Sequence, residues 1–158
     1  MSRSSRKQGH GGLQGDGRCL YARASESCGT GYRASLSAAA YLHPGHPQGL
    51  RLVGKAMASD HLHGVYRIVM KVVSIDSIIE KSARLWHTYH RLGKTRVDRV
   101  GPKLLHFVVV EYPGLPENFQ ECMCGYISQV LELAGGTAVR VSHGAIGSGQ
   151  WCWKLSWC

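Results

Sequence analysis

The last nine residues, Gln150-Trp-Cys-Trp-Lys-Leu-Ser-Trp157-Cys158, alternate strictly in character. On an extended backbone Trp151, Trp153, Leu155 and Trp157 fall on one side, and Cys152, Lys154, Ser156 and Cys158 on the other. Val139, Val141 and His143 alternate in the same way along Thr137–His143, just before a glycine-rich turn. A strand pair of this kind is half-buried, and its indole face has to be covered by other elements. The wall it makes suits a filled core, or one side of a small-molecule pocket.

What can cover that face comes from residues 56–158, which hold thirty-two Val, Ile, Leu, Met and Phe against eight in residues 1–55. The first stretch is rich in Gly, Ser and Arg, with eight Lys and Arg against two Asp and Glu, so it carries +6 of the +9 formal charge. Ordering a backbone costs roughly 1–2 kcal/mol per residue, and such a segment has little to bury in return. Residues 1–55 are expected to be a disordered basic tail, and residues 56–158 a single folded domain. The tail's cations are diluted by Gly and Ser, with no dense basic run and no interleaved stacking aromatics, so nucleic acid is an unfavoured partner.

From Met57 the periodicity is helical. Leu62, Val65, Tyr66, Val69, Val72 and Val73 make one apolar stripe. Ser77 with Glu80 reads as the capping box of a second helix, with Ile78, Ile79, Trp86, Tyr89 and Leu92 inward and Gly93 as its left-handed end. Lys94–Val100 and Lys103–Tyr112, joined at Gly101-Pro102, form a hairpin. A third helix spans Glu117–Leu133, with Phe119, Met123, Tyr126, Ile127, Val130 and Ala134 along one side and Gly135-Gly136 after it. The order helix-helix-strand-strand-helix-strand-strand defines an α+β fold on a largely antiparallel sheet.

Metal ligation is one chemistry the residues allow. Cys122 and Cys124 lie two apart on a helix and point about 200° apart, so they cannot share an ion. Cys122, His143 and Cys152, with a carboxylate such as Glu121, make the constellation left over, and its N/S donors suit tetrahedral zinc. Buried free thiols are the competing reading. His87 and His90, three apart, read as a partly exposed pair at a helix end. No nucleophile elbow, phosphate loop, metalloprotease or dinucleotide motif occurs, so no enzymatic activity is expected. The chain also lacks a membrane-length apolar run and an N-terminal secretory pattern, and a cytoplasmic location is expected.

Two stretches carry a family likeness. Leu85-Trp86-His-Thr-Tyr89-His-Arg-Leu-Gly93 resembles a helix end of the bacterial 4-vinyl-reductase-like and heme-NO-binding-like small-molecule-binding domains. Val139-Arg-Val-Ser-His143, Gly147, Cys152-Trp-Lys-Leu and Trp157 resemble the closing hairpin of that superfamily, most nearly that of an uncharacterised myxobacterial paralogous family. The resemblance covers about residues 56–158. It implies a mixed α/β domain that binds hydrophobic or aromatic small molecules and often regulates an attached output domain. Trp86, Tyr89, Phe107, Phe119, Tyr126, Trp151 and Trp153 would then surround an apolar pocket. Several such domains carry zinc on cysteines of the closing hairpin. Cys152 stands at the second such position, His143 at the first, and Cys122 is a further ligand. Heme is not implied, because the likeness does not extend to a dedicated proximal histidine. The competing function is a protein-interaction module with a filled core, forming a homodimer through an exposed helix face or a sheet edge.

Overall fold

The computed structural model describes residues 48–158, save the side chains of Val65, Tyr66, Arg67 and Tyr89. The expectation for residues 1–47 lies outside that range. Eight elements follow: α1 (Gly49–His61), α2 (Val65–Val72), α3 (Ile75–Tyr89), β1 (Lys94–Gly101), β2 (Leu104–Val110), α4 (Glu117–Leu133), β3 (Arg140–Gly147) and β4 (Gln150–Ser156). The strands form one sheet in the order β1-β2-β4-β3, every neighbouring pair antiparallel. The fold is α+β, as the periodicities require.

The N-terminal boundary moves. Residues 49–55, expected in the tail, are the first half of α1, and there Val53 and Gly54 are buried. The single stripe expected over residues 62–73 is also divided. α1 ends at His61 with Leu62 as its cap, and Gly64, at φ 66, turns the chain so that α2 starts on another path. The cap of α3 is Ser74 rather than Ser77. The Ser74 oxygen accepts the Ser77 amide hydrogen at 3.3 Å, so the helix starts three residues earlier than the capping box suggested. At the other end α3 stops at His90 in an extended conformation, and Gly93 (φ 82) belongs to the turn into β1.

One face of the sheet is apolar because the register stacks like on like. Leu105 opposes Leu155, Phe107 opposes Trp153, and Val109 opposes Trp151. Ile79, Ala83 and Trp86 from α3, with Cys124, Ile127 and Leu131 from α4, close that face into the main core. The other flank of α4 is covered as well: Val130 packs with Ala58, Met70 and Ile78 in a second cluster drawn from α1, α2 and α3. A helix buried on two sides shows apolar residues nearly all round, and Cys122, Cys124, Gly125, Ile127, Val130 and Leu131 are all buried on α4.

The α1–α4 crossing depends on two glycines. A Cβ on Gly54 would overlap the Cys122 carbonyl oxygen and lie 2.8 Å from the Tyr126 amide nitrogen. A Cβ on Gly125 would overlap the Arg51 carbonyl, 2.6 Å from its carbon. Alanine at either position would gain up to about 1 kcal/mol in helix propensity. The obstacle is backbone, though, which cannot rotate aside, and overpacking typically costs about 1–3 kcal/mol. The clash should prevail: Gly54→Ala and Gly125→Ala each lower the urea midpoint, and a neutral or raised midpoint would disprove the close crossing.

Candidate functional site

The α1–α4 crossing brings Arg51 over the start of α4. Its Nε donates to Glu121 Oε2 at 2.6 Å and its Nη1 to the Val141 carbonyl at 3.1 Å, so one guanidinium ties α1 to both α4 and β3. His143, on β3, completes the chain of polar contacts. Its Nε2 lies 2.9 Å from Glu121 Oε1 and its Nδ1 2.9 Å from Gln120 Oε1. Gln120 is only 4% exposed, and its amide cannot turn freely, because its Nε2 donates to the Leu115 carbonyl at 2.9 Å. Oε1 is thereby left facing the imidazole, so Nδ1 is the donor of that bond. Burial pushes the Glu121 carboxyl up, but hydrogen bonds from Arg51 and His143 outweigh it, and the net displacement is downward.

Cys124 belongs to the same cluster. Glu121 and Cys124 stand three apart on α4 and therefore share a face, and one donor atom from each lies within 4.8 Å of the others and of a His143 ring nitrogen. The Cys124 thiol is 1% exposed, and burial pushes it up to about 12. Among the described residues, Glu121, Cys124 and His143 are the set placed to hold a metal ion.

The structure does not bring Cys122, His143 and Cys152 together. Residues 144–147, expected as a loop, continue β3, and the turn tightens to Ser148-Gly149. His143 then opposes Trp153 while Cys152 opposes Gly144. Successive strand residues project to opposite faces, so Cys152 points away from His143. Cys122 is buried, its thiol pushed up to about 11 by desolvation, but it is turned away from Cys124 around the helix. Arg51, Gln120 and Cys124 escaped the sequence reading. The i, i+3 spacing of Glu121 and Cys124 was the available signal; Arg51 was hidden in the supposed tail.

Four of the seven expected pocket aromatics do assemble. Trp86 lies 6.1 Å from Phe107 and 6.5 Å from Phe119, and Phe107 lies 6.1 Å from Trp153, all between ring centroids. His90 joins them, stacked flat on Trp86 at 3.8 Å and edge-on to Phe119 at 5.5 Å. Trp151 packs at the margin, its Nε1 donating to the Tyr112 carbonyl at 2.7 Å. Tyr126 sits with the second cluster beside His61, apart from the rest. The Tyr89 side chain is outside the described atoms. A groove of about 540 Å³ lies elsewhere, between α3 and β1, walled by Glu80, Ala83, Arg84, His87, Thr95, Arg96 and Val97.

The arrangement of helices on this sheet is similar to that of H-NOX domains. The H-NOX domain of Shewanella oneidensis in its Fe(II)CO state superposes with a TM-score of 0.59 at 11% identity, over 85% of this chain and 77% of that one. An H-NOX protein from S. oneidensis in its Fe(II)NO state gives 0.57 at 10% identity, over 84% and 76%. At such identity the likeness is one of fold: the chain has a heme-NO-binding-like fold. No family model and no curated protein sequence matches it. Among the described residues, no helix is long and apolar enough to cross a membrane.

Two outcomes test this geometry. Gln120→Leu keeps bulk but strands the Leu115 carbonyl and the His143 Nδ1–H, so it should lower stability by about 1–3 kcal/mol in urea unfolding. Desolvation holds the His90 imidazole down to about 4, below its ordinary 6.5. Between those values the unfolded chain binds a proton that the folded one refuses, so His90 contributes stability above about 6.5 that is lost as pH falls toward 4. His90→Phe keeps the stacked ring and removes the titration. The drop in urea midpoint from pH 7 to pH 5 should therefore be smaller than in the wild type, and an equal drop refutes the assignment.

Proposed function

We propose that this chain is a non-enzymatic small-molecule-sensing domain whose ligand is hydrophobic or aromatic. The observation that carries the reading is the run of rings from Trp153 through Phe107 and Trp86 to His90 and Phe119. It leads from the sealed centre of the core, where Trp153 is 0% exposed, to a half-buried imidazole at the end of α3. His90 lies on Trp86 as a planar guest would, so a flat aromatic that displaces it meets an indole face and the edge of Phe119. The H-NOX-like fold supports the reading, since the solved structures were determined with gas molecules, CO and NO, on Fe(II).

Heme, which that fold implies, does not suit these residues. It needs a flat apolar slot and an axial donor, most simply an imidazole nitrogen, aimed into it. Among the described residues the interior is occupied by the protein's own rings, His143 lies in the polar cluster with its nitrogens on Gln120 and Glu121 rather than facing those rings, and His90 presents its face to Trp86. The α3–β1 groove holds His87, but that side chain is exposed among Glu80, Arg84 and Arg96. Zinc on Cys122 of α4 with His143 and Cys152 of the closing hairpin is equally unsupported, because those side chains diverge.

Titration with small planar aromatics, followed by tryptophan emission and thermal shift, tests the proposal. A saturable change is expected for at least one apolar class, and His90→Ala should tighten that binding by removing the competing ring. If no class gives a saturable response in either protein, the sensing assignment fails.

A further inference from the structure

We infer that Glu121, Cys124 and His143 form a three-ligand site for a borderline-soft divalent cation, zinc by ligand chemistry, with a fourth position open to water or an exogenous donor. The site goes beyond the sensing reading and does not depend on it. It also differs from the set the sequence suggested, since Cys124 stands in place of Cys122 and Cys152.

Three observations support it. The donors are an oxygen, a sulfur and a nitrogen, all within 4.8 Å of one another, and two of them are fixed on one face of a single helix. Side chains beyond the trio hold the ligands in place. Gln120 accepts from His143 Nδ1 and is itself clamped to the Leu115 carbonyl, which aims Nε2 at Glu121; Arg51 holds Glu121 by Oε2 and leaves Oε1 facing the imidazole. A histidine whose other ring nitrogen donates to an oxygen, beside a hydrogen-bonded carboxylate, is how metal ligands are usually oriented. Last, Cys124, at 1% exposed, stands where the main core meets the polar cluster, so its sulfur lies within 4.8 Å of a carboxylate oxygen and a ring nitrogen.

Arg51 does not prevent binding. With Cys124 as thiolate the site carries two negative charges against one guanidinium, so a dication enters a net acidic environment. The protons balance simply. The metal displaces the Sγ proton and any proton Nε2 shares with Glu121, and both go to solvent, so affinity rises with pH. The Nδ1 proton stays on the imidazole, donated to Gln120 Oε1.

Cobalt(II) titration of the full chain, followed by optical absorption, tests the site. One equivalent should bind with a thiolate-to-cobalt charge-transfer band, and zinc should bleach it. Cys124→Ser should abolish the band and weaken uptake at least about tenfold, His143→Ala should weaken it similarly, and Cys152→Ser should leave both intact. Circular dichroism checks that each variant folds. If Cys124→Ser does not fold, the wild type decides: zinc should raise its unfolding midpoint up to one equivalent and a chelator should reverse the rise. A band that survives in folded Cys124→Ser means uptake elsewhere in the chain and overturns the site. So does a wild type with neither stoichiometric binding nor a zinc-dependent midpoint. Loss of aromatic binding leaves the metal result untouched, so the two proposals fail separately.

Discussion

The approach of α1 to α4, backbone against backbone at Gly54 and Gly125, is the constraint the remaining architecture depends on. Only at that separation can Arg51 reach past Glu121 to the Val141 carbonyl and join the first helix to the third strand. Exposed ion pairs contribute little, but this guanidinium also satisfies a main-chain acceptor, and its carboxylate partner is engaged on its other oxygen by His143. The crossing thus fixes the packing of α4 and the electrostatics at its start. Any side chain at either glycine would separate both.

The polar cluster and the aromatic interior meet at one residue. The Gln120 side chain orients His143, while its carbonyl accepts the Trp153 indole hydrogen at 3.2 Å. Trp153 in turn lies against Phe107, and Phe107 against Trp86. A shift of the rings therefore bears directly on the residue that positions the imidazole, through a short chain of contacts rather than across the whole fold. This contiguity is a physical link between the aromatic interior and the polar cluster.

Much of this was legible in the sequence, and the parts that were not share a cause. The bounds of α4 were read as Glu117–Leu133 and observed as such, because Pro116 and Gly135-Gly136 punctuate it locally. The β1–β2 hairpin and the aromatic face of β4 were equally plain from alternation. What failed depends on partners distant in sequence. Arg51 and Val53 sit in a composition that looks unfoldable until α4 offers them a surface. Cys124, rather than Cys122, meets β3 because burial of α4 on two sides removes the single stripe that would have shown which way it faces. The position of His143 turned on the length of the glycine-rich turn after it: the observed two residues, Ser148-Gly149, and the strand pairing place it across from Trp153. Ser74 and Ser77 were both competent caps, and the spacing of Glu80 favoured the wrong one.

The two margins of the sheet are unalike, and neither invites a further strand. β1 presents Lys94, Arg96, Asp98 and Arg99, whose charges an incoming backbone would have to strip of water. β3 is interrupted by an irregularity between Ala145 and Gly147, which bends its outer rim away from a straight ladder. Among the described residues, addition of a strand is thus opposed at one border by hydration and at the other by shape. The most exposed large apolar side chains among the described residues lie instead on a helix, at Ile68 and Val72 of α2.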